Sequence, residues 1–191
     1  MNNKEESLNK LKDAIIADGV CVDLANQATQ LVMGHGNSSA KIVFIGEAPG
    51  KKEDETGLPF QGAAGKRLDA ALEEAGIDRS DVYITNIVKY RPPNNRDPKD
   101  SEKEAFWPYL LQELDVINPK IIITLGRHSL SYFLPDASIG EVHGTVNSVD
   151  IDGHVYKVAP MYHPAATIYN QSLKQVFIDD LKDIVNKITP A

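Results

Sequence analysis

Short, almost wholly apolar segments alternate with helical patterns along this chain, and this alternation limits the possible folds more than any other feature. Apolar runs predict strands at 41–46, 82–88 and 121–125. Helical spacing and end signals predict helices over 5–18, 65–75, 102–118, 129–133 and 173–188. The segments 142–149 and 154–159 flank Asp152-Gly153, a dipeptide typical of hairpin turns. The alternation predicts the α/β class, as a single three-layer α/β/α domain with a central, mainly parallel sheet.

Length and composition favour an ordinary globular protein formed by one domain over residues 1–191. Hydrophobic residues make up 42% of the chain and charged residues 25%, which suits a full core. No apolar run approaches the ~20 residues that span a bilayer, and the polar N-terminal segment is unlike a signal peptide. We therefore expect a cytoplasmic monomer without membrane contact.

The cysteine count and the net charge restrict the chemistry. Cys21 is the single cysteine, and none of the five histidines is paired at metal-ligand spacing, so we expect no metal. The net charge is −7, which disfavours a protein that coats nucleic acid through charge alone. A DNA-acting enzyme of this composition must concentrate positive charge locally.

The first loop of interest follows the strand at 41–46. It reads Gly-Glu-Ala-Pro-Gly at 46–50 and is followed by Glu53 and by a glycine-flanked Phe60. Glycine is common in any strand-to-helix turn, so the pentapeptide alone is equally consistent with an ordinary turn. The phosphate-loop pattern is absent. Phe60 either fills the core or offers a ring on which a base can stack.

The second loop, 85–99, carries the local positive charge that a DNA-acting chain needs. Four basic residues and one acidic residue lie between Asn86 and Lys99. Asn86 comes at the end of an apolar strand, where its amide can pair with the edge of a base. The alternative is that this amide caps the loop backbone.

The third loop contains His163, held before a proline at the end of a strand pattern. A lone histidine is more often structural than catalytic. The carboxyl ends of parallel strands meet at one edge of a sheet, however, and ligands bind there. We therefore expect Phe60, Asn86 and His163 to converge.

Four motifs together resemble the family-4 uracil-DNA glycosylases. They are Gly-Glu-Ala-Pro-Gly-x-x-Glu-Asp from 46, Gly-x-Pro-Phe-x-Gly-x-Ala-Gly from 57, Thr-Asn-Ile-Val-Lys-x-Arg-Pro-Pro-x-Asn-Arg from 85, and His-Pro-Ala-Ala from 163. The resemblance covers the chain from about residue 24 to the last helix. It implies the fold of that family, uracil-containing DNA as the partner, and hydrolysis of the N-glycosidic bond of a flipped uracil.

The resemblance also implies roles for individual residues. Phe60 would stack on the base, Asn86 would read its edge, and His163 would stabilise the leaving uracil. The remaining positions implied or suggested by the motifs are Glu47 and Glu53 as candidate water-activating carboxylates, Ala48 in the pocket, Asn95 in the DNA-facing loop, and Lys89, Arg91 and Arg96 as DNA contacts.

The chain departs from the family pattern at two places. The family holds a four-iron cluster with four cysteines, and the aligned positions here are Gly19, Val22, Tyr90 and Phe106. We therefore expect no iron–sulfur cluster and no other cofactor, with Tyr90 and Phe106 filling the space. Near the C-terminus the family shows a leucine and an arginine where this chain has Ile168 and Tyr169, which become candidates for the wedge that enters the DNA helix.

Two other functions are compatible with these residues. One is a glycosylase-like DNA-binding module that has lost turnover. The other is a small-molecule nucleotide-binding protein that uses the 46–50 turn, which the basic loop and the missing phosphate loop disfavour.

Overall fold

A computed structural model describes residues 3–188, which leaves the first two residues of the polar N-terminal segment outside the described part. Six strands form one sheet: β1 (His35–Gly36), β2 (Ile42–Gly46), β3 (Tyr83–Asn86), β4 (Ile121–Leu125), β5 (Asn147–Ile151) and β6 (His154–Met161). The α-helices are α1 (Asn3–Ala17), α2 (Val22–Ala25), α3 (Lys51–Thr56), α4 (Ala63–Glu74), α5 (Asp100–Ile117), α6 (Arg127–Phe133), α7 (Ile139–Val142), α8 (Ala166–Tyr169) and α9 (Gln171–Ile188).

The sheet has the strand order β1-β3-β2-β4-β6-β5. The four central strands are mutually parallel, and the two edge strands pair antiparallel with their neighbours. Apolar side chains pack on both faces of the sheet, with α1 and α5 against one face and α4 and α9 against the other. This arrangement confirms the predicted α/β class with a central, mainly parallel sheet.

The parallel register brings the strand ends together. Gly46 at the end of β2 is in register with Asn86 at the end of β3, and β4 ends one strand further along at Leu125. The loops that follow these strands therefore leave the sheet at the same edge.

The predicted elements are present, some with other bounds, and the structure adds β1, α2, α3, α7 and α8, which the patterns did not predict. β3 ends at Asn86 rather than at 88, and the segment predicted to be a strand from 142 begins with the last residue of α7. α3 was not predicted, because its sequence Lys-Lys-Glu-Asp-Glu-Thr has no apolar periodicity. The hairpin turn is as predicted, since Asp152 and Gly153 both have positive φ, at 53° and 85°. Within residues 3–188 no helix combines the length and the apolar character that crossing a membrane requires.

Candidate active site

The three loops converge at the carboxyl edge of the parallel strands, as predicted. They enclose an open cavity of about 510 Å³. Its lining includes Ala48, Glu53, Phe60, Asn86, Asn95, Asp97 and His163. The site therefore brings together the candidate pocket residues from all three sequence segments.

Phe60 is fixed in place by its backbone. Its φ is 53°, its side chain is buried, and its carbonyl accepts a hydrogen bond from Arg79. A Cβ added to Gly65 would lie 1.8 Å from the Phe60 carbonyl oxygen, so only glycine allows α4 to start this close to it. The Phe60 ring centroid lies 6.0 Å from that of His163. The ring is therefore held beside the histidine at the cavity wall.

Asn86 reaches the cavity from the end of β3. The residue is only 2% exposed, and its Oδ1 lies against Gly46, where an added Cβ would approach it to 2.4 Å. Among residues 3–188 the structure gives this side-chain amide no hydrogen-bond partner, although the cavity borders it. A buried amide with unused donors and an unused acceptor is suited to a polar ligand.

His163 is held in one protonation state and one tautomer. The backbone N–H of Ala165 donates to His163 Nδ1 at 3.2 Å, so the neutral ring carries its hydrogen on Nε2. Burial, followed by the nearby His128, lowers the pKa of His163 to about 4. At neutral pH the ring is thus an uncharged donor through Nε2.

Glu47 lies beside His163 in an adjoining cavity of about 260 Å³. Burial, and secondly the charge of Asp97, raise the pKa of Glu47 to about 7, while Lys103 and Arg127 act in the opposite direction. Glu47 Oε2 lies 3.5 Å from His128 Nε2. A carboxyl group with this pKa is partly ionised at neutral pH, and the ionised form can act as a general base.

Asp97 and His128 were not among the predicted site residues. One ligand atom from each of Glu47, Asp97 and His128 lies within 4.8 Å of the others, close enough to share a cation. Spacing along the chain could not reveal this group, because its members come from three separate segments: two loops and the start of α6. The usable signal was topological: His128 follows β4, whose carboxyl end meets the same edge of the sheet.

Comparison with known proteins agrees with this geometry. The family model described as the Uracil DNA glycosylase superfamily matches residues 33–184. The chain belongs to this superfamily. It is 44% identical over 187 residues to a type-4 uracil-DNA glycosylase of Sulfurisphaera tokodaii, a match covering 94% of this chain and 84% of that protein.

Two further relatives bear the same name, type-4 uracil-DNA glycosylase. The protein of Saccharolobus solfataricus is 49% identical over 159 residues, which cover 80% of this chain and 74% of that protein. The protein of Archaeoglobus fulgidus is 44% identical over 184 residues, which cover 94% and 92% of the two chains. The similarity in these two comparisons therefore covers between 74% and 94% of each protein.

Glu53 is the second candidate for the water-activating carboxylate. Its side chain accepts hydrogen bonds from backbone N–H groups. Its Oε1 accepts from the N–H groups of Gln61 and Gly62 at 2.8 Å each, and its Oε2 accepts from Gly50 N–H at 3.1 Å. These bonds join the 46–50 turn to the segment that carries Phe60. Glu53 thereby connects two walls of the cavity.

The prediction that Lys89 contacts DNA is wrong, because its ammonium lies inside the protein. The Lys89 side chain is 0% exposed and is paired with Glu113, whose side chain is 1% exposed. The other two basic candidates lie nearer the surface. Arg91 Nε donates to Asn95 Oδ1 at 2.7 Å, and Arg96 forms a two-pronged pair with Glu102.

The two wedge candidates lie on the short helix α8. Tyr169 is 91% exposed, whereas Ile168 is half-buried. An aromatic side chain this exposed contributes little to the stability of the fold.

The residues at the positions of the family's cluster ligands do not fit an iron–sulfur cluster. Tyr90 and Phe106 are buried and pack edge to face, with ring centroids 6.0 Å apart. Cys21 packs against the same hydrophobic core, and its Sγ lies 3.8 Å from the Glu102 carbonyl oxygen. One thiol cannot replace the four thiolates that such a cluster uses.

Proposed function

We propose that this protein hydrolyses the N-glycosidic bond of uracil in DNA and leaves an abasic site. The observation that carries the proposal is the convergence of Phe60, Asn86 and His163 on one cavity. Membership of the superfamily and the names of the relatives point to the same reaction.

The cavity is suited to a base that has left the helix. A base within a duplex is out of reach of the protein, so the nucleotide is flipped out at a cost of a few kcal/mol. Phe60 then stacks on the uracil ring, and the free amide of Asn86 accepts from N3–H and donates to O4. Ala48 and the rest of the 46–50 turn restrict the space around the base.

His163 acts on the leaving group. When the bond between the sugar C1′ and uracil N1 breaks, its electron pair moves onto the uracil ring and its O2. The neutral Nε2–H of His163 donates a hydrogen bond to this developing anion, an interaction that is strongest in the transition state. A donor with a pKa of about 4 stays uncharged throughout the physiological range.

We assign the water-activating role to Glu47 and a positioning role to Glu53. The Glu47 carboxylate takes a proton from the water that adds to C1′, and its pKa of about 7 suits proton transfer near neutral pH. The Glu53 oxygens already accept three backbone N–H groups, so Glu53 supports the pocket instead.

We propose that Arg91, Arg96 and Asn95 face the DNA backbone and that Tyr169, supported by Ile168, fills the space left by the flipped nucleotide. Aromatic wedges of this kind stabilise an opened helix by stacking. The exposure of Tyr169 supports this assignment.

We further propose that the enzyme works without an iron–sulfur cluster or other cofactor, as a single-domain monomer in the cytoplasm. The single thiol and the packing of Tyr90 on Phe106 support the first part. Protein purified without oxygen should contain no stoichiometric iron and show no visible absorbance. Stoichiometric iron would contradict the proposal.

The activity is tested with an oligonucleotide that contains one uracil, followed by alkaline cleavage of abasic sites. Matched oligonucleotides with thymine or cytosine at the same position serve as controls. We expect cleavage of the uracil substrate alone, lost in the Asn86→Ala variant. Tight binding of the uracil duplex without cleavage would instead identify a DNA-binding module.

A further inference from the structure

A buried ion pair lies directly behind the end of β3. Lys89 Nζ donates to Glu113 Oε2 at 2.5 Å, and neither side chain is more than 1% exposed. Removing two charges from water is costly, and apolar residues of similar volume often serve stability equally well. Stability alone therefore does not explain why the protein buries this ion pair.

The Lys89 ammonium uses all three of its protons. Besides Glu113, it donates to Thr85 Oγ1 at 2.6 Å and to the backbone carbonyl of Asn86 at 2.7 Å. An ammonium has three donors, so its hydrogen-bonding capacity is complete. One of the three bonds holds the residue proposed to read the base.

The peptide group between Asn86 and Ile87 is held at both of its polar atoms. Lys89 binds the Asn86 carbonyl, and the Ile87 N–H donates to the Gly46 carbonyl at 3.1 Å. β3 ends at Asn86, and Gly46 is the last residue of β2 paired with it. Inside a sheet, a neighbouring strand donates to a backbone carbonyl. At the end of β3 the Lys89 ammonium donates to the Asn86 carbonyl instead.

Glu113 is itself fixed from several directions. Its Oε1 accepts from Tyr83 OH at 2.7 Å and from Gly34 N–H at 3.2 Å. A Cβ on Gly34 would lie 2.4 Å from this oxygen, so the carboxylate depends on glycine at that position. The anion has little freedom to move away from Lys89.

We infer that the Lys89–Glu113 pair is a positioning device that holds the Asn86 backbone so that its amide meets the uracil. The inference rests on the proposed function, because it presumes that Asn86 binds uracil. Lys89 and Glu113 contact neither the base nor the sugar, and they act through Asn86.

The test uses the double variant Lys89→Met/Glu113→Gln, which removes both charges without leaving either one unpaired. Melting temperature, single-turnover uracil excision and the dissociation constant of free uracil by NMR are measured for each protein. Affinity for a duplex with a tetrahydrofuran abasic analogue, which carries no base, reports DNA binding alone. Tyr156→Phe is the matched control. It removes a different hydrogen bond to α5, the one from Tyr156 OH on β6 to Asp115 Oδ1 at 3.2 Å.

If the Asn86 amide is displaced, it should lose the free energy of about one hydrogen bond to uracil. Uracil binding should then be about tenfold weaker and excision about tenfold slower. Affinity for the abasic duplex should stay within about twofold, and Tyr156→Phe should change only the melting temperature. If the double variant does not fold, Thr85→Val is measured in the same way. This variant removes one acceptor of the Lys89 ammonium and the hydroxyl that donates to Glu113, and it should show a smaller loss of the same kind.

Uracil affinity and excision within twofold of wild type, in a folded variant, would overturn the inference. A loss in Tyr156→Phe as large as in the double variant would overturn it too. If wild type binds uracil but does not excise it, the proposed function fails while the uracil affinities still decide the role of the pair. If wild type does not bind uracil at all, both fail.

Discussion

Replacing Asp97 with asparagine should shift the pH dependence of the reaction towards acid. Glu47 has a pKa of about 7, raised first by burial and then by Asp97. If Glu47 must be ionised to activate water, the excision rate falls as the pH drops through this value. Asp97→Asn removes one of the two causes and leaves the burial unchanged.

The size of the shift follows from the distance. The nearest ligand atoms of Glu47 and Asp97 lie within 4.8 Å, and the Asp97 side chain is 66% exposed, so a water-like dielectric constant applies. Coulomb's law then gives about 0.9 kcal/mol, equivalent to a fall of about 0.6 in the pKa of Glu47. A lower pKa means more carboxylate at acid pH, so at pH 6 the variant should be about threefold faster.

The assay is single-turnover excision at saturating enzyme from pH 5 to 9, so that altered DNA affinity does not enter. Asp13→Asn on α1, where the aspartate is exposed, is the control that removes the same charge elsewhere. Glu47→Gln should abolish the acid limb. An acid limb that stays in place in Asp97→Asn, or moves to higher pH, would refute the assignment of that limb to Glu47.

Three further predictions concern the pocket and the DNA face. His163→Ala should slow uracil release by about 10²–10³ with little change in DNA affinity, and a melting curve should exclude simple unfolding as the cause. Arg91→Ala should reduce the salt slope of DNA binding by roughly one, and Arg96→Ala by less, because Glu102 already neutralises Arg96. Slopes equal to that of wild type in both variants would place the phosphate contacts elsewhere. Tyr169→Ala should slow excision from duplex DNA more than from single strands at unchanged melting temperature, and an equal effect on both substrates would remove it as the wedge.

Apolar patterning was sufficient to predict five of the six strands and the edge at which the site forms, whereas the exposed two-residue strand β1 has no such pattern. Ile121–Leu125 is fully buried as a strand, and its apolar sequence shows this directly. The meeting of Phe60, Asn86 and His163 followed from the rule that parallel strands end at one edge. These predictions succeeded because burial of apolar side chains determines the elements concerned.

Patterning failed where polar residues are buried. α3 contains no apolar residue. It buries Glu53 and Asp54 instead, because both carboxylates accept hydrogen bonds from neighbouring loops. Lys89 looked like a surface cation in a basic loop, since nothing near it in sequence indicates a carboxylate 24 residues away. Burial of a charge depends on a partner that only the tertiary structure supplies.

The burial of Lys89 and the aromatic pair at Tyr90 have a common support in α5. Phe106 and Glu113 are seven residues apart, two helical turns, so they lie on one face of α5 and contact the consecutive residues Tyr90 and Lys89. In the family pattern, thiolates at the positions of Tyr90 and Phe106 join this loop to α5 through a cluster. Here the edge-to-face rings and the ion pair connect the same loop to α5. A loop held in this way keeps Asn86 at one end and Arg91 at the other in fixed positions, which is what the proposed base reading and the proposed DNA contact both require.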